Sequence, residues 1–113
     1  MKKLIYIFVL FFTISTLSQE VEKNSTPKVD ITSISAYPNP FNIKTNINFY
    51  SSTETAVSFT VQNLLGNVVQ AEKILLIKGK NTIPFYRNKL TAGIYIYTFR
   101  TENKVISKRF VIK

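Results

Sequence analysis

In Ala56-Val57-Ser58-Phe59-Thr60-Val61-Gln62 apolar and polar side chains alternate from Val57 to the end. Successive side chains of a β-strand point to opposite faces, so Val57, Phe59 and Val61 share one side and Ser58, Thr60 and Gln62 the other. Such a strand belongs to a sheet with one face packed and one face wet. Directly after it, Leu64-Leu65-Gly66-Asn67 interrupts the alternation, and Gly66 is free to take the positive φ of a tight turn. Val68 to Ile77 then returns as the second arm of a hairpin.

The same pattern recurs on both sides of this hairpin. Ile31 to Tyr37 reads as a first strand, stopped by Pro38 and Pro40, which fix φ and remove two donors. Asn46 to Tyr50 places Ile47 and Phe49 on one face and Asn46, Asn48 and Tyr50 on the other. Asn81 to Arg87 carries Ile83 and Phe85 inward, and Pro84 between them requires an edge position or a bulge. Gly93 to Arg100 is β-branched and aromatic, and Glu102-Asn103 turns it into a last strand, Lys104 to Ile112. Turn signals every ~8–12 residues and the lack of a helical period predict an all-β fold. The expected architecture is a small antiparallel β-sandwich of about seven strands, immunoglobulin- or fibronectin-like. A true immunoglobulin domain is excluded, because the chain has no Cys and no Trp for its central framework.

Composition sets what such a sandwich can do. With 113 residues, 45% hydrophobic and 13% aromatic, the chain suits one small domain with a real core. The absence of His and Cys removes the usual zinc ligands, the thiol nucleophile and the imidazole base together. Six Asp and Glu, thinly spread, argue against a catalytic carboxylate pair or a calcium cage. We therefore expect no enzyme activity, no metal and no cofactor. A net charge of +9 makes nucleic acid, membrane and acidic polysaccharide the partners to weigh. The basic residues are scattered between strands without a clustered aromatic motif, and nucleic acid is not expected.

The N-terminus reads as an export signal. Met1-Lys2-Lys3 supplies a positive start, and Leu4 to Ile14 is an apolar run of about 11 residues, well short of the ~20 that span a bilayer. Thr16 and Ser18 are small enough for the −3 and −1 positions of a signal peptidase site, so cleavage is expected after Ser18. No Cys follows the run, which rules out lipoprotein anchoring. Residues 1–18 are thus assigned to a signal peptide, 19–30 to a flexible polar leader and 31–113 to the sandwich. The mature chain is expected in the periplasm in transit, then at the cell surface or outside the cell.

Four segments then fall in order: Tyr37-Pro38-Asn39-Pro40-Phe41-Asn42, Leu64-Leu65-Gly66-Asn67-Val68-Val69, Leu90-Thr91-Ala92-Gly93-Ile94-Tyr95, and the terminal run Lys104 to Lys113. Together these resemble the type A C-terminal sorting domain of the type IX secretion system of Bacteroidota, over about Ile34 to Lys113. The resemblance implies a non-catalytic export signal, recognised by the outer-membrane translocon and removed by a sortase-like peptidase. Its cargo would be released or joined to surface lipopolysaccharide. On this reading Pro38, Asn39, Pro40, Gly66, Gly93, Tyr95, Lys104, Lys108 and Arg109 are the recognition candidates.

Each candidate also has a plainer role. Pro38 and Pro40 suit a rigid turn with Asn39 between them, and Gly66 and Gly93 suit backbone needs. Tyr95 suits the core with its hydroxyl satisfied. Lys108 falls on the face of Ile106 and Phe110 and Arg109 on the other, as in a charged edge strand that resists aggregation. The competing function is a small secreted binding module, an adhesin or a binder of acidic glycan or lipopolysaccharide, with Tyr37, Tyr50, Tyr86 and Tyr97 as stacking surfaces.

Overall fold

The computed structural model of the protein describes residues 28–113. The expected signal peptide and the leader up to residue 27 lie outside the described residues. The strands are β1 (Ile31–Tyr37), β2 (Lys44–Ser51), β3 (Thr55–Asn63), β4 (Val68–Leu76), β5 (Gly79–Tyr86), β6 (Gly93–Arg100) and β7 (Val105–Ile112). Each expected strand is present, with ends moved by a residue or two, and every pairing within the sheets is antiparallel.

The strands divide into a three-stranded sheet, β1-β2-β5, and a four-stranded sheet, β4-β3-β6-β7. The chain changes sheet between β2 and β3, returns between β4 and β5, and changes again before β6. This is the Greek-key connectivity of an immunoglobulin-like sandwich, with β4 on the sheet of β3, β6 and β7. Pro84 lies in β5, an edge strand, where its missing N–H breaks no interior ladder.

Alternation places the core as the sequence indicates. Val57, Phe59 and Val61 are buried from β3, Ile47 and Phe49 from β2, and Ile83 and Phe85 from β5. Phe110 is the aromatic junction of the two sheets. Its ring meets Phe85 of the opposite sheet at 5.0 Å, Tyr97 at 5.2 Å and the loop residue Phe41 at 5.2 Å between centroids. Edge-to-face, tilted and stacked ring pairs of this kind add to the burial of their area. Tyr97, expected as a surface for stacking in the binding-module reading, is instead 1% exposed, because it shares the inward parity of Tyr95 and Phe99.

The wider sheet overhangs the narrower one, and the inner faces of its edge strands are incompletely covered. Glu72 on β4 and Lys108 on β7 have inward parity yet are exposed. Inward-pointing charges on edge strands are a known defence against strand-to-strand association.

Candidate functional site

Tyr37 ends β1, Lys44 begins β2 and Tyr86 ends β5, while Asn63 ends β3, Gly93 begins β6 and Ile112 ends β7. The register pairs Gly93 with Ile112 and Asn63 with Tyr95, and Phe41 bridges Ile112 across the two sheets. Three of the motif segments and the end of the fourth therefore meet at one end of the sandwich.

Direct bonds hold them there. The Asn39 side-chain oxygen accepts from the Val111 backbone N–H at 2.8 Å. Phe41 donates its N–H to the Val111 carbonyl at 3.0 Å and accepts at its own carbonyl from the Lys113 N–H at 2.9 Å. Pro38 and Pro40 have no N–H, so the segment cannot extend a ladder beyond this bridge. The Pro38 carbonyl accepts the hydroxyl of the buried Thr45 at 2.7 Å, which ties the turn to β2.

The second and third segments are fixed by their own turns. Gly66 takes φ 93°, a value that favours glycine. The Asn63 side-chain oxygen accepts from the N–H groups of Leu65 at 3.0 Å and Asn67 at 2.9 Å, closing the hairpin loop. Tyr95 is buried, and its hydroxyl donates to the Thr91 carbonyl at 2.7 Å. This is the tyrosine corner of immunoglobulin-like sandwiches, which pins the loop entering the sixth strand. Tyr95 therefore bears on a partner through the loop it holds.

Arg87, just past β5, fastens three of these pieces. It donates from Nε to the Leu90 carbonyl at 2.9 Å, and from Nη1 to the Lys113 carbonyl at 2.8 Å and the Asn42 side-chain oxygen at 3.1 Å. Around this frame the end is apolar and open. Leu65 is 86% exposed, and Tyr37, Ile43, Leu64 and Val68 are each more than half exposed.

The basic candidates stand elsewhere. Lys104 lies at the opposite end, where its ammonium is 2.8 Å from the Asp30 carboxylate. The hydrogen bond and charge of Lys104 hold the Asp30 carboxyl below its ordinary value. Lys108 and Arg109 sit in mid-strand on opposite faces of β7, facing Tyr97 and Ile96 in register. Pro38, Asn39, Pro40, Gly66, Gly93 and Tyr95 thus come together, and Lys104, Lys108 and Arg109 do not join them.

Asn63, Thr45 and Arg87 complete this end although none of them belongs to the four motif segments. Asn63 was detectable, since an Asn opening a turn readily bonds the backbone two residues on. Thr45 shares the inward parity of Ile47 and Phe49. Arg87 carried no local signal, because its partners are distant in sequence.

The fold and this end define a small fibronectin-like sandwich module that presents a rigid, apolar cluster of loops. The chain belongs to the type IX secretion family of C-terminal sorting domains: the model of the secretion system C-terminal sorting domain matches residues 35–113. No curated protein matches the sequence. Among solved structures, dimeric latent PorU from Porphyromonas gingivalis is similar with a TM-score of 0.61 and 12% identity, covering 80% of this chain and 10% of that one. A β-glucosidase from Erythrobacter marinus reaches a TM-score of 0.45 at 12% identity, covering 85% of this chain and 18% of its own. The likeness to PorU shows a shared fold, and this chain spans about a tenth of that protein's length.

Proposed function

We propose that this protein is a non-catalytic export signal whose motif-bearing end docks on the type IX secretion translocon. Residues 1–18 act as the signal peptide, cleaved by signal peptidase after Ser18, and the sandwich folds in the periplasm of a Bacteroidota cell. The translocon takes the folded domain across the outer membrane. A sortase-like peptidase then separates it from any attached cargo, which is released or held at the cell surface.

The observation that carries this reading is the convergence of segments at 37–42, 64–69 and 90–95 with residues 110–113 on one end of the fold. Asn39, Arg87 and Tyr95 hold that end rigid, while Leu64 and Leu65 stay exposed on a turn that contributes little to the core. Exposed apolar side chains on a rigid frame are what a docking surface needs.

The test is a fusion of residues 24–113 behind a signal peptide and a fluorescent reporter in a type IX-competent bacterium. Delivery to the surface or medium is expected, with loss in a translocon mutant; periplasmic retention in both strains overturns the reading. Within the same fusion, Leu64→Ser with Leu65→Ser should abolish delivery while leaving thermal stability within about 0.5 kcal/mol per site, as for exposed positions generally. Lys108→Ala with Arg109→Ala separates the basic strand from the motif end: if only this pair blocks delivery, docking belongs to β7.

A further inference from the structure

The outer face of the three-stranded sheet carries an ordered set of side chains on β2 and β5 that the sorting role does not use, and it borders the motif end at Tyr37. The β2–β5 register pairs Tyr50 with Lys80 at one end and Lys44 with Tyr86 at the other. Both tyrosines are half exposed, and the Lys44 ammonium sits 5.5 Å from the centroid of the Tyr86 ring. Between the two pairs lie Asn48 opposite Thr82, whose hydroxyl donates to the Asn48 side-chain oxygen at 2.7 Å, and Asn46 opposite Pro84. On the far side of Asn46, Tyr37 of β1 is 76% exposed. No Asp or Glu occurs in β1, β2 or β5.

We propose that this face binds an extended acidic polysaccharide, of the polyuronate type, lying along β2. A tyrosine ring offers an apolar plane with a polar rim, which suits the C–H face of a sugar. Each end tyrosine is paired with a lysine on the neighbouring strand, Tyr50 with Lys80 in register and Tyr86 with Lys44, whose ammonium lies over the ring, so a carboxylate on a bound sugar meets a cation at both ends. The two Tyr–Lys pairs are six positions apart on β2, about 20 Å at ~3.4 Å per residue. A single sugar or a free anion cannot reach both, whereas a chain can. The amides and hydroxyl between them supply donors and acceptors for sugar hydroxyls. The absence of carboxylates from all three strands removes the repulsion an acidic chain would otherwise meet. A single-stranded nucleic acid would also stack on tyrosine and meet the two lysines; the export assigned to this chain under the proposed function favours a glycan, and the oligonucleotide arm of the test decides between them.

Calorimetric titration of the whole 113-residue chain with polygalacturonate oligomers tests this, with dextran as the neutral glycan and an oligodeoxynucleotide as the competing polyanion. Binding of the polyuronate in preference to both is expected. Tyr50→Ala with Tyr86→Ala should weaken it about tenfold, while Tyr50→Phe with Tyr86→Phe should retain most of it. Lys44→Ala with Lys80→Ala should erase the preference over dextran. Lys73→Ala with Arg100→Ala removes the same charge from the outer face of the other sheet and should change nothing. The proposal is overturned by absence of polyuronate binding, by equal loss in the Lys73 and Arg100 variant, or by tighter binding of the oligonucleotide. Circular dichroism confirms that each variant is folded, and all of these side chains lie outside the core.

Discussion

The side chain of Asn39 accepts a 2.8 Å hydrogen bond from the backbone N–H of Val111, 72 positions later in the chain. One amide oxygen thus locks the turn after the first strand to the end of the last. Asn39→Ala removes the only side-chain acceptor in that bond and should lower stability by about 1 kcal/mol. Asn39→Asp keeps an oxygen in place and should recover most of the loss. Urea unfolding of the two variants beside the parent checks the expectation, and equal losses would assign the effect to something other than the acceptor.

Phe110 supports the same end from within. It is fully buried and touches Phe41, Phe85, Tyr95 and Tyr97 across both sheets. Phe110→Ala leaves a cavity among rings that cannot easily close it, and should cost about 3–5 kcal/mol. Thermal unfolding should show a large fall in Tm, and Phe110→Leu should lose far less.

Lys108 and Glu72 guard the two edges of the four-stranded sheet. Replacing both with apolar residues, Lys108→Val and Glu72→Val, extends the inner apolar face to unpaired edges and should promote association through them. Size-exclusion chromatography across a concentration series should show oligomers in the double variant that the parent lacks, with little change in monomer stability.

Burial raises the Tyr97 pKa above the ordinary 10.0, since a phenolate would have to be charged among aromatic rings. A raised value favours the neutral hydroxyl in the fold. That stabilisation is complete below pH 10 and disappears as the pH rises through the folded value. The domain should therefore lose stability in alkali, and Tyr97→Phe should flatten that decline. Unfolding midpoints between pH 8 and pH 11 measure it; an unchanged slope in Tyr97→Phe would place the alkaline sensitivity elsewhere.

The sequence by itself determined the strands and their faces, because a period of two is a local property. Val57, Phe59 and Val61 face the core in the order their spacing dictates, Pro84 demands an edge or a bulge, and parity alone puts Tyr97 with Tyr95 and Phe99. Tertiary structure decided which strands share a sheet and what meets at the ends. Arg87 reaches Lys113 and Asn42 only after both sheets have formed, so no neighbouring residue announces it. Lys108 obeys its parity yet stays exposed, because three strands cannot cover the inner faces of four. The motif segments likewise become one surface only through the register of β3, β6 and β7, which depends on the summed packing of the whole core. Local alternation is written residue by residue, whereas adjacency across 72 positions belongs to the folded chain.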